Sequence, residues 1–266
     1  MTLRRLFASC LAGSLMVFSC KGEGTKTGAR NQAVADTGPN PPNESLVVTP
    51  VSHATAVLQW GGTTLYIDPV GDPAAFAAFG PADLILITDI HGDHFSLETL
   101  QQLPTEKAKL IMPQAVAEQM PDAFAPQIDV LGNGEQKERY GITVTAIPMY
   151  NLREEARDFH VKGRGNGYVL EKGGMRIYFS GDTEDIPEMR ALENIDKAFV
   201  CMNLPYTMTV EQAANAVLEF APKEVYPYHY RGRPDVSDVG RFAGLVSGGN
   251  ADIRVVQLDW YPDAPY

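Results

Sequence analysis

Residues 83–95 read DLILITDIHGDHF, and this stretch says most about how the chain folds. Its first six residues form a largely apolar run of strand length, which is typical of a strand covered on both faces of a sheet. The run ends directly at Asp89, His91, Asp93 and His94, and Gly92 is expected to let the backbone turn closely enough for these side chains to converge. A polar cluster at the end of a buried strand predicts a functional site.

Imidazole and carboxylate groups together favour a metal site. This ligand mixture suits Zn²⁺, Mn²⁺ or Fe, and we expect one or two divalent ions, Zn²⁺ first and Mn²⁺ or Fe as alternatives. The pattern HxDH alone also arises by chance, so the interpretation depends on residues elsewhere in the chain. The other three histidines and a further acid also lie at predicted strand ends or in adjoining loops: His53, His160, His229 and Asp182.

The remainder of the body alternates strands with helices, which predicts a layered α/β protein. Gly61-Gly62 is expected to close a two-residue hairpin, and residues 172–174 a second one. Ser96 is an expected N-cap, and Thr209 with Gln212 forms an expected capping box. Strands are predicted at 46–49, 54–60, 63–68, 83–88, 109–112, 141–148 and 224–230, and helices from Ser96 to 102, around 114–120 and from Thr209 to 220, with a long polar stretch at 150–167.

The first 44 residues differ in character from the rest. Residues 1–19 combine Arg4 and Arg5 with a short apolar run, which predicts a signal peptide rather than a membrane span. The sequence before Cys20 resembles the lipobox of bacterial lipoproteins, which implies a lipid anchor on Cys20 and a place in the cell envelope, at the outer membrane or the periplasmic face of the inner membrane. A plain secretory signal is the alternative. Residues 20–44 are expected to be a disordered tether and 45–266 one folded domain.

Composition excludes some partners. The formal net charge of −11 over 266 residues argues against a nucleic-acid partner. The charge does not by itself reveal the substrate, which we expect to be a small molecule. The chain has three cysteines, of which Cys201 alone lies in the expected domain, so no internal disulfide is predicted there. Because Cys201 lies in an apolar run, a buried structural thiol is favoured over a nucleophile. The oligomeric state is not indicated by the sequence.

Several motifs in a fixed order resemble the metallo-β-lactamase superfamily: HATAVLQWGGTTLYIDP, LILITDIHGDHF, FHVKGRGNGYVL, IYFSGDTEDIPEM, MNLPYTMT and YPYHY. They are most similar to its metal-dependent hydrolase branch, with the ascorbate-6-phosphate lactonase-like and N-acyl-phosphatidylethanolamine phospholipase D-like enzymes. The resemblance runs from about residue 46 to 262. It implies a four-layered αββα sandwich with metals at one edge.

The resemblance also implies roles for individual residues. One metal would be held by Asp89, His91 and His160, the second by Asp93, His94 and His229, and Asp182 would bridge both. A metal-bound hydroxide would attack a lactone, ester or phosphodiester-type substrate, with Asp93 orienting it. His53 would act from beside the metals through a hydrogen bond, although a structural core histidine is an alternative.

Position 89 departs from the family pattern, which has a histidine there. A carboxylate remains a competent ligand, so we expect a shifted metal preference rather than loss of the site. A non-catalytic metal- or ligand-binding lipoprotein on the same fold is the alternative function. Tyr150, Tyr206 and Arg231 are further candidates for a pocket wall, with ordinary packing as their alternative role.

Overall fold

Each half of the chain forms one sheet of seven strands. The computed structural model describes residues 34–35 and 45–261. The first sheet holds its strands in sequence order, and they are β1 (Val34–Ala35), β2 (Leu46–Ser52), β3 (Thr55–Trp60), β4 (Thr63–Ile67), β5 (Leu84–Leu86), β6 (Lys109–Met112) and β7 (Ile128–Val130). Strands β1 to β4 pair antiparallel, whereas β4 to β7 are parallel.

The second sheet has the same size and the same sequential order. Its strands are β8 (Gln136–Arg139), β9 (Ile142–Met149), β10 (Gly165–Lys172), β11 (Met175–Phe179), β12 (Lys197–Cys201), β13 (Glu224–Tyr228) and β14 (Arg254–Val255). Strands β8 to β11 pair antiparallel and β11 to β14 are parallel. The two halves therefore share one strand pattern, which the sequence does not show as a repeat.

Helices cover the outer faces of the two sheets. The first half contributes α1 (Leu97–Gln102), α2 (Gln114–Ala117) and 3₁₀ turns at Pro73–Phe76 and Asp122–Gln127, and the second half contributes α3 (Pro187–Arg190), α4 (Val210–Phe220) and α5 (Val239–Gly249). Ser96 and Thr209 cap α1 and α4 as predicted, and Gln212 completes the capping box. The α/β sandwich of the sequence prediction is confirmed.

Alternation along the strands places one core between the sheets and another on the outer face of the first. Leu84 and Leu86 of β5 belong to the large cluster that joins both sheets, while Ile85 packs in a second cluster with Leu100 of α1 and Val116 of α2. All three residues of β5 are fully buried, as expected for a strand covered on both sides. The buried strand fixes the point from which the polar loop at 89–94 leaves the sheet.

Some elements differ from the sequence-based expectations. Helix α2 ends at Ala117, before the predicted end at 120. Strand β10 begins at Gly165, inside the stretch predicted to be polar loop. Helix α5 was not predicted, because its glycines and short apolar run give a weak helical pattern.

The predicted tether contains one described strand. Val34 and Ala35 form β1 and pair with Val48 and Val47 of β2. The other residues of the predicted signal peptide and tether, 1–33 and 36–44, lie outside the described residues, as do 262–266. In the part of the chain that the structure describes, no helix has the length and apolar character needed to cross a bilayer.

Candidate metal centre

The candidate ligands lie where strands end at one edge of the sandwich. The loop at 89–94 follows β5, Asp182 follows β11, and His229 comes directly after β13. His160 lies in the loop between β9 and β10. Parallel strands bring their carboxyl ends to the same sheet edge, so residues far apart in sequence meet here.

Four of these residues form a compact group. The Nε2 atoms of His94 and His229 are 3.1 Å apart. Asp182 places Oδ1 3.2 Å from Nε2 of His229 and Oδ2 3.4 Å from Nε2 of His94. Asp93 Oδ2 lies 3.4 Å from the same His229 nitrogen. Each residue offers one ligand atom, and these atoms all lie within 4.8 Å of one another. We call Asp93, His94, Asp182 and His229 the four-residue group.

Three residues form a second group beside the first. Asp89, His91 and His160 also offer ligand atoms within 4.8 Å of one another. His91 Nδ1 lies 2.9 Å from Oδ2 of Asp89. His160 Nε2 is 3.2 Å from Oδ2 of Asp182, so Asp182 contacts both groups. We call Asp89, His91 and His160 the three-residue group. The two groups are the division that the family resemblance implies, and Asp182 lies where a bridging ligand would.

The donor atoms fit a divalent cation. Asp182 Oδ1 and both ring nitrogens of His160 are buried and have no partner in hydrogen-bond geometry among the described residues, although Asp182 has close contacts to imidazole nitrogens. Two imidazole nitrogens that face each other cannot both present a lone pair without a cation or a proton between them. Buried polar atoms without partners are rare, and a metal ion would satisfy these. The mixed nitrogen and oxygen donors suit Zn²⁺ or another transition metal.

The electrostatics of the four-residue group favour positive charge. Burial opposes ionisation of Asp182, but the charges of His229 and His94 outweigh it and hold the pKa of Asp182 well below its usual value. Burial alone would lower the pKa of His94, but the charges of Asp182 and Asp68 outweigh it and hold the pKa of the imidazole well above its usual value. Without a metal, the carboxylates therefore favour a proton on His94.

Asp93 follows the same pattern. Burial opposes its ionisation, yet hydrogen bonds from His229 and His53 hold the pKa of Asp93 below its usual value. Its side chain is 40% exposed, against 4% for Asp182. Asp93 is thus an ionised carboxylate at the solvent side of the cluster.

Asp68 supports the cluster from behind and was not identified from the sequence. Its Oδ2 lies 2.7 Å from Nδ1 of His94 and also accepts a hydrogen bond from the hydroxyl of Thr88, and both residues are buried. This contact lets Nδ1 carry the proton and turns Nε2 of His94 toward the other ligands. Its position directly after β4 was a signal that could have pointed to it, because the candidate ligands also lie where strands end.

His53 lies beside the four-residue group rather than within it. Its Nε2 is 3.3 Å from Asp93 Oδ2, its Nδ1 is 2.8 Å from the hydroxyl of Tyr261, and its ring lies 3.9 Å from that of His229. Burial, followed by the charge of His229, lowers the pKa of His53. His53, Asp68 and His229 all have positive φ without being glycine. Such conformations are costly and tend to occur at functional sites.

Arg164 is the second residue that the sequence reasoning missed. Its guanidinium donates from Nε to Asp89 Oδ1 at 3.1 Å and from Nη2 to Oδ2 at 2.9 Å. Burial opposes ionisation of Asp89, but hydrogen bonds from His91 and Arg164 outweigh it and lower the pKa of Asp89. The aspartate that replaces the family's histidine at position 89 is thus paired with Arg164, 75 positions later in the chain.

Gly92 does not have the role expected of it. An added Cβ at Gly92 would meet open space, and its φ is not in the left-handed region. The turn is instead held by backbone hydrogen bonds from the amides of His94 and Phe95 to the carbonyl of His91. The expectation that the loop needs glycine at this position was therefore wrong.

A cavity of about 210 Å³ opens onto both groups. Tyr206 contributes to its wall, whereas the two other candidates from the sequence do not: the Tyr150 hydroxyl contacts Glu188 and Lys162, and Arg231 lies over the ring of Tyr261. The lining residues are His91, Asp93, Phe159, His160, Asp182, Asn203 and Tyr206. Phe159 and Asn203 were not identified from the sequence.

Comparison with known proteins agrees with this geometry. Residues 47–229 match the family model described as a β-lactamase superfamily domain. A protein of Thermococcus onnurineus named UPF0173 metal-dependent hydrolase is 31% identical over 207 residues, which cover 74% of this chain and 90% of the relative.

Solved structures give the same result. A crystal structure from Parabacteroides distasonis has 32% identity and a TM-score of 0.76, and the match covers 86% of this chain and 99% of that one. The metallo-β-lactamase fold protein YhfI of Bacillus subtilis shares the fold at a TM-score of 0.61 and 13% identity, over 77% of this chain and 88% of that one. With its family model, its relatives and its paired ligand groups, the chain belongs to the metallo-β-lactamase superfamily and is a metal-dependent hydrolase.

Proposed function

We propose that the protein hydrolyses a small lactone, ester or phosphodiester-type substrate in the cavity over the two ligand groups. The observation that carries this proposal is the convergence of seven ligand-type side chains, four of which line one cavity of about 210 Å³. A divalent ion held there would act as a Lewis acid and make a water molecule a nucleophile at neutral pH. The Thermococcus relative carries the name metal-dependent hydrolase, which favours hydrolysis over a non-catalytic binding role.

Asp93 is placed to orient the attacking water. It lines the cavity, and it is the more exposed of the two carboxylates in the four-residue group. Because its pKa is low, it is ionised at neutral pH and accepts hydrogen bonds. His53, which contacts Asp93 at 3.3 Å, would hold that carboxylate in place.

The opposite wall of the cavity would bind the substrate. Phe159 and Tyr206 form an edge-to-face pair with ring centroids 5.1 Å apart, which suits an apolar group of the substrate. Asn203 Oδ1 accepts from Thr207, so its amide nitrogen is the group left to donate to a carbonyl or phosphoryl oxygen. Such a donor would stabilise the negative charge that develops on that oxygen.

A substrate panel with metal control tests the proposal. Purified protein would be analysed for bound metal and then assayed on a lactone, a carboxylic ester, a phosphodiester and a thioester. We expect turnover of at least one class, lost on chelation and restored by Zn²⁺, Mn²⁺ or Fe²⁺. Metal-loaded, folded protein that hydrolyses none of the four would contradict it.

We further propose that a lipid on Cys20 anchors the protein at the cell envelope, with residues 20–44 as the tether. The support is the lipobox-like sequence that ends at Cys20 and the polar composition that follows it. Expression in a bacterial host, membrane fractionation and mass spectrometry would show diacylglycerol on Cys20. The Cys20→Ala variant should leave the membrane fraction, and an unmodified Cys20 in the wild type would exclude the anchor.

A further inference from the structure

Arg164 gives the three-residue group a cation of its own. The guanidinium binds both oxygens of Asp89, and its Nη2 also lies 3.4 Å from Nε2 of His91. The same nitrogen donates to the carbonyl of Phe159, so the side chain is held from two directions. Asp89 is fully buried and the Arg164 side chain is 19% exposed. A planar guanidinium paired at two points in this way is strongly oriented.

The two groups therefore differ in charge. The three-residue group has one carboxylate, Asp89, and Arg164 already neutralises it. The four-residue group has two carboxylates, Asp93 and Asp182, and among the described residues neither has a lysine or arginine within ion-pair distance. Attraction for a divalent cation grows with the unbalanced negative charge around it, most strongly in a buried site. An ion in the three-residue group would also lie close to the guanidinium and be repelled by it.

Ligand availability points in the same direction. Both oxygens of Asp89 accept hydrogen bonds from Arg164, and Oδ2 also faces His91 Nδ1 at 2.9 Å. A carboxylate oxygen has a second lone pair, so Asp89 can still bind a metal. Its negative charge would then be shared between the metal ion and the guanidinium of Arg164. In the part of the chain that the structure describes, no lysine or arginine competes for Asp93 or Asp182, and the neighbour of Asp93 outside the ligand groups is the imidazole of His53.

We propose that Arg164 makes the two groups unequal metal sites. The first ion binds the four-residue group, and a second ion binds the three-residue group with an affinity about 100-fold lower or weaker still, because Arg164 supplies the charge that this ion would otherwise bring. Arg164 is thus a positioning residue that sets the metal stoichiometry. This proposal rests on the assignment of the cluster as a metal centre.

Zn²⁺ titration of the metal-free full-length protein tests it. Equilibrium dialysis with elemental analysis and competition with a chelator would give stepwise affinities. The wild type should bind one ion tightly and the second weakly. In Arg164→Met, which keeps an unbranched side chain close to the aliphatic part of arginine but removes the charged guanidinium, the second affinity should rise at least about 10-fold while the first stays within about threefold. Asp89→Asn should leave the first affinity unchanged.

Arg139→Met is the matched control. Arg139 forms a comparable two-point pair with Asp129, with both distances 2.7 Å, on strands away from the ligand groups. The Arg139→Met variant should have the same two Zn²⁺ affinities as the wild type. This control separates the loss of charge at the metal site from a general effect of removing an arginine.

Three outcomes would overturn the proposal. Two equal, tight sites in the wild type would do so while leaving the hydrolase assignment intact. Loss of the tight ion in Asp89→Asn would reverse the order of the sites. Failure to bind any ion would overturn this proposal together with the metal centre. If circular dichroism shows that Arg164→Met does not fold, Arg164→Gln, which removes the charge but keeps hydrogen-bond donors, replaces it in the same titration with the same expected result.

Discussion

The carboxylate of Asp68 lies 2.7 Å from Nδ1 of His94, so a ligand on one loop is oriented by an acid at the end of another strand. Thr88 donates to the same carboxylate through its backbone amide and its hydroxyl. Burial raises the pKa of Asp68, and the charge of His94 opposes this rise. The buried acid has a structural role, because it fixes the tautomer of the His94 imidazole.

The Asp68→Asn variant should weaken metal binding. It removes the charge that favours a proton on Nδ1 of His94, and loss of such a supporting group typically lowers affinity about 10- to 100-fold. Zn²⁺ affinity, measured by chelator competition, checks this. Asp72→Asn removes an equal charge from an exposed turn and should have no effect on that affinity. Equal affinities in the two variants would show that Asp68 does not orient the ligand.

His53→Ala should separate metal binding from turnover. His53 contacts Asp93 and Tyr261 but belongs to neither ligand group, so the metal content should stay at the wild-type value. Turnover of the substrate found in the panel should fall about 10- to 100-fold, because the carboxylate of Asp93 loses its partner. A variant that loses metal and turnover together would instead make His53 a ligand.

Gly167→Ala tests the close approach of β10 and β11. A Cβ at Gly167 would lie 2.7 Å from the carbonyl oxygen of Ser180 and 2.9 Å from that of Phe179. Because these backbone atoms cannot move away without disturbing the pairing of the strands, we expect the free energy of unfolding, measured by urea denaturation, to fall by about 2 kcal/mol or more. Gly244 lies in α5 with nothing near an added Cβ, so Gly244→Ala should stabilise by about 0.5–1 kcal/mol.

Cys201 should be unreactive in the folded protein. Burial raises the pKa of its thiol from 9.0 to about 12. The protonated thiol is favoured in the folded state, so its contribution to stability is full below pH 9 and is lost as the pH rises toward 12. Iodoacetamide at pH 8 should label Cys201 in urea but not in native protein, as peptide mass spectrometry would show. As the pH rises above 9, the free energy of unfolding should fall less in the Cys201→Ala variant than in the wild type.

Much of the fold could be predicted from local pattern. The buried run at 84–86, the Gly61-Gly62 turn and the capping box at Thr209 each depend on residues near in sequence, and each is present. Helix α5 and the start of β10 at Gly165 were not predicted, because glycine-rich segments carry little local preference and take their structure from packing.

The candidate site divides in the same way. Ligand-type residues at strand ends could be named from the sequence, because chemistry limits which side chains bind metals. Asp68 and Arg164 could not, since one acid and one arginine among many look alike until distance is known. Their roles depend on contacts with His94, 26 residues away, and Asp89, 75 residues away.

The sequence by itself determined the alternation of strands and helices, the ligand types and the family they resemble, because periodicity and side-chain chemistry are local properties. The tertiary structure alone decided which carboxylate is already paired, Asp89 with Arg164, and which acid orients His94. That decision requires chain segments distant in sequence to meet in one buried space, where charges interact strongly and each unpaired group is costly. Asp89 looked like a ligand with a different donor atom, and the fold shows that it is also the partner of Arg164.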